Sequence, residues 1–188
     1  MADPGPDFHR TVPPGDTLER RVCRRCGFVH YDNPKVVVGS VVRSQARILL
    51  CRRAIFPRRG FWTIPAGYLE LNEAPETGAR REAMEEANAA IDISGILAVY
   101  SVPRLSQVQV IFQATLSGDF SPGEESLEVK LFDWADIPWD ELAFPSVHWA
   151  LGHDRASELK QAAPPFSNPP GETGDMLPGG KPFERKGG

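Results

Sequence analysis

One continuous stretch, residues 67–89, constrains the fold more than any other part of this 188-residue chain. It begins as a loop, and Pro75 then suits the first turn of a helix, where its missing N–H costs little. Ala79, Ala83 and Ala87 follow at every fourth position, so their small side chains share one face of that helix. The pattern predicts a helix that ends near residue 87 and lies with its alanine face close against a sheet.

Another face of the same helix carries three carboxylates. Glu82, Glu85 and Glu86 stand at positions i, i+3 and i+4, and each like-charged pair costs roughly 0.2–0.5 kcal/mol on an exposed helix. Such a cluster of hard oxygen atoms indicates a divalent cation, and the alternative is a solvated acidic face. Arg81 can pair with Glu85 one turn further on, or it can reach back to Glu73 in the loop.

The spacing of these residues resembles a known signature. Gly67, five residues, Glu73, seven residues and then Arg-Glu-Ala-Met-Glu-Glu-Ala over residues 81–87 resemble the Nudix box. That box belongs to hydrolases that cut nucleoside diphosphates linked to another moiety. The resemblance implies an α/β fold, namely an α/β/α sandwich with a mixed, partly antiparallel sheet.

The same resemblance implies a metal site. Carried over residue by residue, it implies that Mg²⁺, with Mn²⁺ as a substitute, is bound by Glu82, Glu85 and Glu86, with Gly67 also at the metal site. Mg²⁺ held by a few carboxylates and several waters can neutralise a diphosphate and activate the attacking water.

Further catalytic roles fall to residues around these ligands. The resemblance implies that Glu73 orients Arg81 and the loop. It also implies a general base, or one more ligand, from a glutamate outside the box, and Glu125 and Glu128 lie in the right part of the chain. The alternative for either of these two is an ordinary surface glutamate on a strand.

Basic and aromatic residues just before and within the box are candidates for substrate binding. Guanidinium groups match phosphate geometry, and an aromatic ring can stack on a nucleobase. The alternatives are solvated loop charge for the arginines and core packing for the tryptophan. The candidates are Arg52, Arg53, Arg58, Arg59, Trp62 and Tyr68.

One position departs from the box. The family usually has Gly where this chain has Asn88, followed by an aliphatic residue where this chain has Ala89. The helix must end here with a left-handed residue, and Asn tolerates that conformation best after Gly. We therefore interpret Asn88 as a conservative replacement that leaves the metal ligands intact.

The N-terminal segment contains a single pair of closely spaced cysteines. Cys23 and Cys26, followed by His30, resemble the second half of the zinc ribbon that precedes some Nudix domains. A structural zinc site needs four ligands, and residues 7–10 hold no first cysteine pair. His9 would complete a conceivable set of four, but we expect Cys23 and Cys26 to be reduced and free of Zn²⁺.

The remaining chain alternates predicted strands with one further helix. We predict strands over 36–42, 48–51, 61–66, 91–102, 107–116 and 124–132, and a helix over 146–162. Alternation in the strand over 107–116 predicts one better-buried face. The predicted division is a zinc-ribbon remnant over 1–34, a Nudix hydrolase domain over 35–162, and a Pro/Gly-rich mobile tail over 163–188.

Composition limits the cellular location and the classes of binding partner that we expect. A net charge of −4 argues against a nucleic-acid partner, which usually requires a basic footprint. The chain shows neither an apolar run of membrane-spanning length nor a signal peptide, so we expect a cytoplasmic location without membrane association. A small-molecule nucleotide is the expected partner, and a homodimer stays open.

The expected function is Mg²⁺-dependent hydrolysis of a diphosphate bond in a substrate of the ADP-ribose or FAD type. This expectation comes from the resemblance, which is strongest to the zinc-ribbon-associated pyrophosphatases. The alternatives are a catalytically silent module that senses a nucleotide, or a hydrolase of a nucleoside triphosphate or of an RNA cap.

Overall fold

A computed structural model describes residue 5 and residues 7–174, 176–177 and 181–182 of the chain. The chain divides after Pro34 into two units. The N-terminal unit is an antiparallel sheet of three short strands. These strands are β1 (Phe8–Thr11), β2 (Arg20–Cys23) and β3 (Val29–His30).

Of the two cysteines of the N-terminal unit, Cys23 ends β2 and Cys26 lies in the turn between β2 and β3. Cys23 is buried and Cys26 is exposed. Cys23 pairs with Phe8 across β1 and β2, whereas His9 pairs with Val22, so the side chains of His9 and Cys23 leave opposite faces of the sheet. The set of four ligands considered from the sequence is therefore not assembled. In the described part of this unit, no three histidine, cysteine or acidic side chains are arranged to hold a metal ion.

A mixed sheet of seven strands forms the larger unit. The strands are β4 (Lys35–Ser44), β5 (Arg47–Arg53), β6 (Trp62–Thr63), β7 (Ala66–Tyr68), β8 (Ile91–Val102), β9 (Gln107–Leu116) and β10 (Ser126–Phe132). Their order is β10-β5-β4-β9-β8, with β6 beside β5 and β7 beside β4. Strands β4 and β9 run parallel, whereas the other neighbours are antiparallel. The predicted mixed, partly antiparallel sheet is confirmed.

Two helices cover this sheet. Helix α1 (Pro75–Ala87) packs on the face that presents Val38, and α2 (Pro145–Glu158) packs on the face that presents Val41. Because these valines are three residues apart on β4, their side chains leave opposite faces. The α/β/α sandwich is therefore confirmed. Short 3-10 helices cover Pro103–Leu105, Trp134–Asp136 and Trp139–Glu141.

Helix α2 is shorter than its predicted range of 146–162. It ends at Glu158, and Lys160 then has a left-handed φ of 55°, which turns the chain away from the helix. Among the described residues, no helix combines the length and the apolar composition needed to cross a membrane.

Strand β9 is buried on both faces, not on one as its alternation predicted. Ile111 is 2% exposed and its neighbour Phe112 is 1% exposed. The reason is its position, because β9 lies between β4 and β8 and each face is covered by a helix. An alternating sequence implies a single buried face only when the other face of the strand is exposed to water.

Residues 163–174, which we call the C-terminal strap, lie along β8. The N–H of Phe166 donates to Leu97 O (2.8 Å), and the N–H of Val99 donates to Phe166 O (2.9 Å). The Asn168 amide exchanges two hydrogen bonds of 2.8 Å with the backbone of Ser101. The sequence predicted a mobile tail over 163–188, whereas the structure pairs the strap with a strand.

The rest of the predicted tail is described only at two places. Strands β11 (Met176–Leu177) and β12 (Lys181–Pro182) pair antiparallel with each other. The other positions after residue 174 lie outside the described residues.

Candidate active site

Arg81 is the central side chain of the carboxylate cluster on α1. Its Nε and Nη2 donate to the two oxygens of Glu73, each at 2.9 Å, and Nη2 also donates to Tyr68 O at 3.0 Å. Its Nη1 donates to Glu82 Oε1 at 2.7 Å and to Glu85 Oε2 at 2.9 Å. These bonds, led by those from Glu73, raise the pKa of Arg81 above its ordinary value. Arg81 therefore makes both contacts that the sequence offered as alternatives.

Glu73 fastens the loop before α1 to the helix. Besides its two bonds with Arg81, it accepts a hydrogen bond from the Glu70 N–H at 3.1 Å. The Arg81 guanidinium, followed by this backbone bond, lowers the pKa of the Glu73 carboxyl. Glu73 thus acts on Arg81 and on the loop backbone.

Glu82 and Glu86 are buried carboxylates, with 8% and 5% exposure. Burial raises the pKa of Glu86 to about 8, although Glu86 Oε2 accepts a hydrogen bond from the Ala66 N–H at 3.1 Å. Burial also raises the pKa of Glu82, against the opposing effect of Arg81. Strand β7 and helix α1 therefore enclose two carboxylates whose charges the protein alone does not fully compensate.

Gly67 gives Glu82 the space that it occupies. A Cβ atom at position 67 would lie 2.4 Å from both carboxylate oxygens of Glu82. Any side chain there would have to displace this buried carboxylate. The spacing of Gly67 and Glu82 in the sequence is thus explained by close contact between β7 and α1.

The donor atoms of this cluster fit a hard divalent cation. Among the described residues, no three carboxylate, imidazole or thiol groups are arranged to hold a metal ion. In this cluster the Arg81 guanidinium lies between Glu82 and Glu85 and donates a hydrogen bond to each. The chemistry nevertheless matches, since Mg²⁺ needs only one or two carboxylates alongside water and phosphate. A cation would also relieve the unfavourable burial of Glu82 and Glu86.

Asn88 ends α1 as the sequence predicted. Its φ and ψ of 45° and 34° are left-handed. Its N–H donates to Met84 O at 2.9 Å, which is the bond of an αL cap, and the N–H of Ala89 donates to Ala83 O at 3.2 Å.

Asn88 also makes contacts that the sequence did not indicate. Its Nδ2 lies 3.1–3.3 Å from the Ser121 O, Ser121 Oγ and Pro122 O atoms. The loop is held a second time because the N–H of Gly123 donates to Glu86 O at 3.1 Å. We call residues 121–125 the cap loop, since it packs on the C-terminal end of α1 and carries Glu125.

A single cleft of about 1220 Å³ extends from the carboxylate cluster across the face of the sheet that carries α2. One end contains Arg53 and Glu125 as well as the glutamates of α1. The other end is formed by β4 and β9, the start of α2 and the end of the strap. Its lining residues include Val37, Val102, Leu105, Gln107, Gln109, Ile111, Phe144, Val147 and Gly174.

Of the four arginines predicted to bind substrate, Arg53 alone lines the cleft. It is half-buried, and its Nε donates to Pro57 O at 2.9 Å. Burial lowers the pKa of Arg53, while Glu86 and then Glu125 act in the opposite direction. Arg52 leaves the other face of β5 and pairs with Glu128 at 3.7 Å.

Three further candidates for substrate binding lie outside the lining of the cleft. Arg58 stacks on the Phe61 ring at 3.6 Å, and Arg59 is exposed, so neither lines the cleft. Trp62 is a core residue and contacts Phe132 edge to face at 4.8 Å.

Tyr68 and Glu125 line the cleft, whereas Glu128 does not. The Tyr68 hydroxyl accepts a hydrogen bond from Gln107 Nε2 at 3.1 Å. Gln107 and Gln109 of β9 also line the cleft and were not among the predicted candidates, although amide side chains on an otherwise apolar strand were a signal.

The profile of the NUDIX domain family matches residues 33–150, most of the chain. The chain belongs to the NUDIX family. The profile named Nudix N-terminal, a zinc-ribbon family, matches residues 5–32 of this NUDIX protein.

Solved and curated relatives agree with this assignment. The structure of a NUDIX hydrolase from Nitrosomonas europaea is similar with a TM-score of 0.82 and 44% identity, covering 89% of this chain and 96% of that one. An ADP-ribose pyrophosphatase of Methanocaldococcus jannaschii is 29% identical over 119 residues, which are 61% of this chain and 69% of the relative. A MutT-like protein of Streptomyces ambofaciens is 39% identical over 82 residues, 44% of this chain and 51% of the relative. The chain thus spans about half the length of the Streptomyces protein.

Proposed function

We propose that this NUDIX hydrolase cleaves the diphosphate bond of a nucleoside diphosphate linked to another moiety, with ADP-ribose as the best-supported substrate and FAD next. The observation that carries the proposal is the continuity of one cleft between two buried carboxylates and a largely apolar end. An extended dinucleotide-like substrate needs both ends, because its diphosphate is charged and its base is flat and apolar. The name of the Methanocaldococcus relative supports the same class.

Glu82, Glu85 and Glu86, together with Gly67, are the residues that would hold Mg²⁺ or Mn²⁺. When bound, such an ion neutralises the diphosphate and lowers the pKa of a coordinated water. Arg81 fixes the carboxylates of Glu82 and Glu85 through charged hydrogen bonds.

The chain's own cations and bases complete the site. Arg53 binds a phosphate oxygen from the cleft wall, since its guanidinium is half-buried there and forms no salt bridge within the described residues. Glu125 takes the proton of the attacking water, because it lines the cleft while Glu128 is held outside by Arg52. Glu73 acts as a positioning residue through Arg81.

A substrate screen with Mg²⁺ tests this proposal. We expect the pure protein to convert ADP-ribose to AMP and ribose 5-phosphate, to cleave FAD more slowly, and to stop when EDTA is added. The screen also includes NADH, diadenosine polyphosphates, nucleoside triphosphates and capped RNA. Turnover restricted to the last two would contradict the proposal, and nucleotide binding without any turnover would indicate a sensing module.

A further inference from the structure

Gln109 presents a free amide to the apolar end of the cleft. It lies on β9, half-buried, between Val37 on β4 and Tyr100 on β8 in the strand register. Its backbone position is thus fixed on both sides by neighbouring strands. Within the described residues, no hydrogen bond is formed by its side chain, and its amide atoms remain accessible from the cleft.

The other two glutamines on this face of β9 are both engaged. Gln107 Nε2 donates to the Tyr68 hydroxyl at 3.1 Å, and Gln113 Nε2 donates to Asp154 Oδ1 at 2.9 Å. Those two amides therefore have a structural role. Gln109, placed between them, has a half-buried amide that the fold does not use, and burying a polar group without a partner is unfavourable.

The surroundings of Gln109 match a flat, apolar ligand with a polar edge. Val37, Val102, Leu105 and Ile111 line the same end of the cleft and offer apolar contacts. A glutamine amide holds a donor and an acceptor side by side, and this pair matches the 6-amino group and N7 of adenine, whereas inosine presents two acceptors at the same edge. Apolar contact on the faces of the base and amide contact at its edge are the two requirements of a nucleobase site.

The position of Gln109 also suits one nucleoside between it and the carboxylates. In the register of the sheet, Gln109 stands opposite Val37, which stands opposite Tyr68 on β7. The adjacent residue of β7, Gly67, packs against the Glu82 carboxylate. Two strand spacings of about 4.8 Å therefore separate β9 from the strand that borders the carboxylates. The cleft is lined by both Gln109 and the carboxylates, so it joins the two positions.

We propose that Gln109 determines base specificity by hydrogen bonding to the 6-amino edge of adenine. This inference rests on the proposed function for the identity of the substrate. It assigns the adenosine half of the substrate to the end of the cleft formed by β4 and β9.

The test compares adenosine with inosine, which carries a keto oxygen in place of the 6-amino group. Both nucleosides are neutral, so their binding can be measured by NMR titration in EDTA without any metal. We expect the wild-type protein to prefer adenosine, and Gln109→Leu to weaken adenosine about tenfold or more while inosine changes less. Gln161→Leu, an exposed change outside the cleft, serves as the matched control and should alter neither.

A second variant and a second readout complete the test. Gln109→Glu keeps the size of the side chain and its acceptor but removes the donor, so it should bind adenosine more weakly yet still prefer it to inosine, because only the acceptor can bond the 6-amino group. The ratio of kcat/KM for ADP-ribose to that for inosine diphosphate ribose should fall in Gln109→Leu and persist in Gln109→Glu. Thermal melts show whether each variant remains folded.

The possible results distinguish adenine recognition by Gln109 from the proposal that ADP-ribose is the substrate. No adenosine preference in the wild type, or equal weakening of both nucleosides by Gln109→Leu, would overturn the role of Gln109. If the preference depends on Gln109 but ADP-ribose is not hydrolysed, the proposed substrate is wrong while adenine recognition at Gln109 stands.

Discussion

At the scale of single residues, the burial of the Glu86 carboxylate lowers the stability of the fold at a position suited to a bound cation. Its carboxylate is 5% exposed and accepts one backbone hydrogen bond, from Ala66. The folded protein therefore tolerates the charged form poorly, and the pKa of Glu86 rises to about 8. A charged side chain in such a place costs stability that a bound cation would restore.

We predict that Glu86→Gln lowers kcat by at least about 100-fold and yet raises the melting temperature in EDTA at pH 8 to 9. Glutamine keeps the acceptor for the Ala66 N–H but carries no charge. Because the folded pKa of Glu86 lies above its unfolded value of about 4.5, its favourable contribution is complete below pH 4.5 and is lost as the pH rises through about 8. The difference in melting temperature should therefore grow with pH over that window.

Glu76→Gln is the control for this prediction, since Glu76 is exposed in the first turn of the same helix. It should lose a few tenths of a kcal/mol or more from the helix dipole and should not gain stability. A Glu86→Gln protein that is fully active, or that melts lower than wild type at pH 8, would show that Glu86 supports the fold.

We predict that Glu73→Gln is milder and lowers kcat by about 10–100-fold. Glutamine can accept only one of the two bonds from Arg81, so the guanidinium loses part of its fixed orientation toward Glu82 and Glu85. Steady-state kinetics with saturating Mg²⁺ measure the effect, which should appear in kcat more than in KM. A loss as large as that of Glu86→Gln would place Glu73 among the groups that contact the metal.

At the scale of elements, the end of α1 and the cap loop form one connected unit. The backbone of the last helical turn accepts hydrogen bonds from the loop, and Asn88 binds the loop with its side chain. The helix that carries the carboxylates and the loop that carries Glu125 are therefore positioned together.

We predict that Asn88→Gly and Asn88→Ala separate the two roles of this residue. Glycine favours the left-handed conformation, so its stability should stay near wild type, whereas alanine should lose about 1–2 kcal/mol. Both variants lose the bonds to Ser121 and Pro122, so the amides of Ser121 and Gly123 should exchange hydrogen faster, as measured by mass spectrometry. Unchanged exchange in Asn88→Gly would mean that the loop is held by its backbone alone.

The sequence predicted α1 and its cluster well because their determinants are local. Spacing along one helix fixed the faces of the alanines and of Glu82, Glu85 and Glu86, and the left-handed end at Asn88 followed from residue type. The strand limits Ile91–Val102 and Gln107–Leu116 also agree with the prediction.

The sequence could not predict which arginine side chains line the cleft. Arg52 and Arg53 are adjacent on β5, and only the pairing of that strand decides which face each side chain leaves. The same argument applies to Gln109, whose role depends on which strands meet in the sheet. Non-local pairing is the information that composition and periodicity lack.

At the scale of the whole larger unit, the strap closes one side of the fold. The Phe166 ring stacks on His153 with centroids 4.4 Å apart, and His153 Nδ1 lies 2.7 Å from the buried Tyr100 hydroxyl. Gly174 then reaches Val102 at the end of the cleft.

We predict that Phe166→Ala lowers the free energy of unfolding by about 1–2 kcal/mol, less than the 3–5 kcal/mol of a fully buried ring, because Phe166 is half-buried. Urea denaturation measures the change. Phe56→Ala is the control, since Phe56 is 70% exposed and should change stability little. Equal effects of the two substitutions would mean that the strap contributes nothing to folding.

The pairing of the strap with β8 covers part of an edge of the sheet. Strand β8 is the last strand of the sheet, and without the strap Leu97 and Val99 would offer an open row of backbone donors and acceptors. Open edges of this kind recruit strands from other chains and begin aggregation. A chain shortened to end at residue 162 should therefore associate with rising concentration in sedimentation experiments. The strap occupies the Leu97 and Val99 positions of that row with its own backbone, so this part of the β8 edge is closed to strands from other chains.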